Sequence, residues 1–514
     1  MPIDSLRQLD PAKFDETRAR HLLSRAGFGG TPEQVAALTR IGLLRAVDHL
    51  VDYDRLPEPD DAESAARFSP DIIRPPTEAE AAEARRARRE NDEPALERLQ
   101  RERNRRQAMD REQLAAMRRW WLRRMIESPR PLEEKMTLFW HGHFATGHRT
   151  IEDSWHMLLQ NRLFRRRATG NFGALASEII RDPAMLRYLD NNRNRRRSPN
   201  ENLARELMEL FVLGEGTGYT ERDIKEAARA LTGYTFVDDQ FVFRGGDHDD
   251  GPKTIFGRSG NFDGDGLLRL LFERPAASEF ICWKLYRFFV DDGPAVSART
   301  PPRAVQGFIR RLAALLRESR FELRPVLRTL FLSEHFHHPS VMAATIKSPV
   351  QLVVQTVRSL GTPVRNLSTL LEACAMMGQE LFQPPNVKGW DGGRAWINTA
   401  TVFVRQNVAV FMLTGAQPGG GRGRGPARQG SLDRYDARPL VDHLRDPAGA
   451  LPPPRAVAEA IARVTLACEP APDRIDAVES VLAPRLAPGS PDEENRGLVA
   501  ALVLITALPE YQLC

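Results

Sequence analysis

Four cysteines in 514 residues, at positions 282, 374, 468 and 514, are too few and too scattered for a disulfide framework. None forms the CxxC pair of a zinc ribbon or haem attachment site, and dispersed thiols suit a reducing compartment. No apolar run approaches the roughly 20 residues of a membrane helix; "GLVAALVLITALP" near the C-terminus is too short. The N-terminal "MPIDSLRQLDPAKFDETRARHLL" has neither an apolar signal core nor a twin arginine. These absences lead us to expect a cytoplasmic protein with no export signal of its own. Walker A, HExxH and GxSxG motifs are missing, and no GxGxxG opens a helix after a strand. A large excess of one charge is missing too. Lys and Arg number 73 against 68 Asp and Glu, and the net charge of +5 gives no strong nucleic-acid signal.

What is present is helical. The chain is 42% hydrophobic, enough for a sizeable core, and its apolar residues recur mostly at helical spacing. The expected fold class is mainly α, a large multi-helix domain with one small β-hairpin and a C-terminal helical region. The main helical domain is placed at 1–415, a flexible linker or loop at 416–430, and helices packing on the main domain at 431–514. Residues 77–116, rich in Ala, Glu and Arg, read as a charged helical insertion. "RPLEEKMTLFWHGHFATG" predicts a helix from Pro131 that ends near Gly142. "SPNENLARELMELFVLG" predicts a helix with Ser198 as N-cap, Pro199 in the first turn, Glu201 completing a capping box and Gly214 closing it. Thr220 caps the next helix. "YTFVDDQFVF" predicts the hairpin, over 234–245, and "HDDGPKTIFG" falls in the loop after it.

Several residue sets suit chemistry. Glu206 and Glu209 lie one helical turn apart, a spacing at which two carboxylates share a metal ion or a proton. The plain alternative is the solvated face of an amphipathic helix. His141 and His143 stand about 200° apart on an intact helix, and converge as metal ligands only if the helix ends between them. His248, Asp249 and Lys253 share a turn-forming loop. Arg193, Arg195, Arg196 and Arg197 form a cluster suited to an anion, and Arg205 accompanies the glutamates. The histidines of "EHFHH" at 334–338 rank below His141 and His143.

The ordered segments "HLLSRAGFGGTPEQV", "LFWHGHFATG", "PAMLRYLDNN", "SPNENLARELMELFVLG", "GYTERDIKEAARALTGY", "HDDGPKTIFG", "IKSPVQLV", "PPNVKGWDGGRAWIN" and "LPEYQLC" resemble the bacterial family called domain of unknown function 1800. The resemblance implies a large helical protein without an assigned activity. It also implies a partner from the domain of unknown function 1501 family, which is similar to sulfatases and phosphatases and often carries a twin-arginine signal, so co-export with it is a second expectation. Many relatives have His where this chain has Phe211, so position 211 is left out of the site.

From the residue chemistry we expect a metal-dependent enzyme, hydrolase or oxidoreductase, acting on an anionic substrate. His141, His143, Glu206, Glu209 and Asp249 would hold iron, manganese or zinc. Glu206, Glu209, His248 and Lys253 would be catalytic, and Arg193, Arg197 and Arg205 would bind substrate. The alternative is a non-catalytic helical partner of a sulfatase- or phosphatase-like protein.

Overall fold

Short polar side chains start the first helices. The computed structural model describes residues 5–58, 68–74, 76–293, 301–416, 434–486 and 490–514. From residue 417 onward, the expected linker over 416–430 lies outside the described residues. Asp15 accepts the amide of Arg18 and opens α1 (Glu16–Ala26). Thr31 and Gln34 cap α2 (Pro32–Val51) reciprocally, and Thr77 with Glu80 does the same for α3 (Glu78–Glu90). Asp92 opens the long α4 (Glu93–Glu127). The expected insertion is thus a helical pair, but it does not stop at 116. From Leu114 onward α4 turns apolar and buries Met117, Trp121, Leu122 and Met125. Next comes α5 (Pro131–His143), with Pro131 in its first turn.

The stretch after Ser198 departs from expectation. Ser198 pairs with Arg195 in an isolated bridge instead of capping a helix. Asn200 Oδ1 accepts the amide of Asn202, and Asn194 Oδ1 accepts that of Asn200, so side chains hold the backbone out of helix until α6 (Asn202–Glu206). Glu201 makes no cap and instead pairs with Arg205 at 3.0 Å. A π-helical turn, Leu207–Phe211, follows directly, with Val212 N bonded to Leu207 O at 3.0 Å. Thr220 caps α7 (Glu221–Ala230) as expected.

The expected hairpin is present as β1 (Tyr234–Val237) and β2 (Gln240–Phe243), with Tyr234 opposite Phe243. A second one, not foreseen, lies inside "HDDGPKTIFG": β3 (Lys253–Ile255) pairs with β4 (Arg258–Gly260). Its turn uses Phe256 and Gly257, both at positive φ, as a type I′ two-residue hairpin loop requires. Later helices include α8 (Pro275–Phe289), α9 (Pro349–Leu360), α10 (Thr399–Thr414), α11 (Pro454–Thr465), α12 (Pro472–Leu486) and α13 (Pro491–Thr506). No helix among the described residues is long and apolar enough to cross a membrane.

The buried apolar residues form two clusters. The first gathers α1, α2, α7, α8 and their neighbours up to Val341. The second joins the buried half of α4 to α9, α10 and α11–α13. Helix α5 is the wall between them. It gives Leu132, Met136, Phe139 and Trp140 to the first core and Leu138 to the second. Large side chains of this kind contribute about 1.5–3 kcal/mol each when fully buried, and Trp140 also donates its ring N–H to Ala168 O at 2.9 Å.

Candidate functional site

Charge and aromatic surface meet where α5 passes between the cores. Lys135, Phe139 and His143 of α5 line a pocket of about 170 Å³. The last turns of α8 add Lys284, Arg287 and Phe288, and the start of α9 adds Ser348 and Gln351. The loop 388–393 closes against α5. A Cβ on Gly389, whose φ is +79°, would stand 2.1 Å from the carbonyl oxygen of Gly142. Glycine at 389 is what lets this loop lie on the helix and bring Trp390 to the pocket.

The pocket groups fall into two kinds. Some are fully engaged. Arg25 donates to Phe289 O at 2.9 Å, to Cys514 O at 2.8 Å and to Val290 O. Lys135 donates to Gln351 Oε1 and lies 4.9 Å from the ring centre of Phe28 and 5.4 Å from that of Phe288. Burial pushes its ammonium down to about 7. Others are not engaged. Lys284 is half-buried, 5.5 Å from the Phe280 ring centre, and makes no hydrogen bond or ion pair among the described residues. Burial, then the neighbouring Arg287, push its ammonium down to about 8. Burial also raises the Asp292 carboxyl to about 6.

Three shielded nitrogens on the lining residues have no partner among the described residues: Arg287 Nε, Trp390 Nε1 and His143 Nδ1. The His143 ring is held by the end of the π turn. Its Nε2 donates to Phe211 O at 2.9 Å, and since a carbonyl only accepts, Nδ1 keeps a lone pair. Burial and then Lys284 depress the imidazole to about 3, so it is neutral at pH 7.

The residues singled out from sequence do not assemble as a metal site. Helix α5 continues through His143, so its two histidines keep to different sides. His141 Nε2 accepts the amide of Phe382 at 3.0 Å, with the rings of Trp121, Phe382 and Trp390 around it. Asp249 is bound to Arg229 at 2.7 Å and accepts the amide of Gly251. His248 Nδ1 donates to Thr232 O at 2.8 Å. Lys253 has no exposed surface and donates to Asp249 O, Gly251 O and Asn261 Oδ1. These three hold a tight turn and its hairpin together. Among the described residues, no three His, Cys, Asp or Glu side chains gather as ligands for one ion.

Arg205 is taken by Glu201, Glu209 and Glu221, the last at 2.8 Å, and Arg193 and Arg197 are exposed on the surface loop. Glu206 is half-buried and makes no hydrogen bond among the described residues. Burial, then Glu209, raise its carboxyl to about 7. It also feels Lys388, which pairs with Glu215 at 3.4 Å and lines the pocket. His337 of "EHFHH" bonds to Phe331 O at 2.9 Å, and His335 to the Tyr286 hydroxyl at 2.9 Å.

Of the residues chosen from sequence, only His143 lines the pocket. Lys135, Lys284, Arg287, Asp292 and Trp390 were missed. A signal existed: "ICWKLYRFF" sets Lys284 inside a largely apolar run, where a charge needs a reason.

Fold and site together define a mainly helical protein with a cationic, aromatic-walled pocket between two cores. The family model described as "Protein of unknown function (DUF1800)" matches residues 21–513, and the chain belongs to that family. No curated protein and no solved structure matches it. Five of the segments that carry the family resemblance converge on the pocket, through Arg25, His143, Gln351, Trp390 and Cys514.

Proposed function

We propose that the protein binds a small anionic molecule in the pocket between its cores and acts on it by acid–base chemistry. The observation that carries this reading is that Arg287, Trp390 and His143, which line one cavity, each hold a buried nitrogen without a partner among the described residues. Buried polar groups are almost always paired, so such a group calls for a polar ligand. Arg287 and Lys284 supply positive charge. The acid–base part rests on Lys284 and Asp292, whose shifted protonation near pH 8 and pH 6 suits proton transfer around neutrality.

Metal-dependent chemistry at the residues first chosen from sequence is not adopted, because among the described residues no three His, Cys, Asp or Glu side chains gather as ligands for one ion. A purely structural partner role calls for a broad exposed apolar face. The exposed large apolar side chains among the described residues are scattered, with at most two on one element: Ile41 and Leu44 on α2, and Val237 and Phe243 on the first hairpin.

The test is calorimetric titration of acetate, pyruvate and inorganic phosphate into the wild type and Arg287→Leu at pH 7. At least one anion should bind the wild type with one site per chain, and the variant should lose about 10–100-fold in affinity, as for a charged hydrogen bond. No binding by any of the three, or equal binding to both proteins, would overturn the reading.

A further inference from the structure

Lys284 and Arg287 stand three residues apart on α8, so their side chains leave the same face of the helix. Both line the cavity. Their partners differ from those of the other pocket cations. Arg25 is spent on backbone carbonyls and Lys135 on Gln351. Among the described residues, Arg287 makes one long hydrogen bond, to Asp391 O at 3.4 Å, lies 6.0 Å from the Trp283 ring centre, and leaves its Nε unpartnered. Lys284 makes no hydrogen bond or ion pair among the described residues, and its ammonium lies beside the Phe280 ring. An amine and a guanidinium one turn apart match a molecule whose carbonyl carbon is bonded directly to a carboxylate.

We propose that Lys284 forms an imine with the carbonyl of a small 2-oxo acid whose carboxylate is held by Arg287. This rests on the anion-pocket reading and names its substrate class. The neutral amine nitrogen of Lys284 attacks the carbonyl carbon. The carbonyl π bond opens to a hydroxyl, the nitrogen gives up a proton, and the carbinolamine loses one water to leave C=N. Nothing is oxidised or reduced. His143, which lines the pocket and whose Nδ1 keeps a lone pair, takes the remaining nitrogen proton and returns it to the departing hydroxyl, which leaves as water. Of the charged groups that act on Lys284, Arg287 on its own helix favours the neutral amine, whereas Asp391 of the 388–393 loop opposes that. A lysine beside another cation in a desolvated pocket is a known way to make an amine nucleophilic.

The test is reductive trapping of the full chain with pyruvate and sodium cyanoborohydride, read by intact mass and peptide mapping. Lactate, which has no carbonyl, is the control. The wild type should gain one carboxyethyl group, on Lys284, at least about tenfold faster than on any surface lysine. The rate should rise as pH is taken from 6 towards 8. Lys284→Met should not trap. Lys284→Arg, which keeps the charge but not the nucleophile, should still bind lactate yet fail to trap. Trapping spread evenly over surface lysines, or directed to Lys135 or Lys388, would overturn the imine. If pyruvate and lactate both bind the wild type and no imine is trapped, the imine fails while the anion pocket stands. If neither binds, the imine fails, and the anion pocket fails with it when acetate and phosphate do not bind either.

Discussion

Two regions each withdraw a lysine from solvent, and they do so differently. In the β3–β4 turn, Lys253 is fully buried and every direction it donates in ends on an oxygen: Asp249 O, Gly251 O and Asn261 Oδ1. In the pocket, Lys284 is only half-buried and donates to no protein group among the described residues. Burial lowers the proton affinity of both. A shifted lysine is therefore no mark of a site in itself. The difference is in the partners: a buried charge with a full set of acceptors holds a fold together, and one without them is held ready for something else.

The largest expected effect breaks the structural side of this comparison. Lys253→Ala strands three acceptors and should cost about 3–5 kcal/mol, read as a lower denaturant midpoint, with anion binding unchanged in the protein that remains folded. An unchanged midpoint would mean that the turn does not need its lysine. Next, Gly389→Ala places a Cβ against the Gly142 carbonyl at positive φ. It should cost about 2–4 kcal/mol and weaken anion binding by moving Trp390, whereas full binding would show that the loop is not part of the site.

A smaller effect is the pH dependence of the wild type. Anion affinity should fall as pH rises through about 6, where Asp292 ionises, and again through about 8, where Lys284 loses its proton. A flat titration from pH 5 to 9 would remove both groups from the site. The smallest concerns Glu206. Its carboxyl is raised from the ordinary 4.5 to about 7, so the stability it contributes is present below 4.5 and lost as pH rises through about 7. Glu206→Gln should raise the melting temperature by about 1–3 °C at pH 8 and change it little at pH 5. The reverse ordering would contradict a desolvated carboxyl there.

The helices and the first hairpin were legible because their signals are local, such as the cap at Thr220 and the alternation around Asp238 and Asp239. The second hairpin was not, because its turn is built on Phe256–Gly257 instead of an Asn-Gly pair. The late start of α6 depends on the Asn194 side chain, six residues upstream of Asn200, which a short capping pattern does not include. The pocket was the least legible part. Its walls come from α5, α8, α9 and the 388–393 loop, which lie far apart in sequence. Residue type pointed to His141, Asp249 and Lys253, but their partners, Phe382, Arg229 and the turn carbonyls, are set by the fold. A lysine inside an apolar helix was the better clue, since Lys284 lines the pocket.

The most direct measurement of the central claim is Lys284→Met against wild type at pH 7, with denaturant unfolding and anion titration on the same preparations. Carrying a depressed lysine costs stability below about pH 8, and this cost fades as pH rises towards the ordinary 10.5. The account predicts a variant at least as stable as the wild type that has lost about tenfold or more in anion affinity. A variant that unfolds as readily as expected for Lys253→Ala and still binds the anion would contradict it, placing Lys284 among the residues that hold the fold.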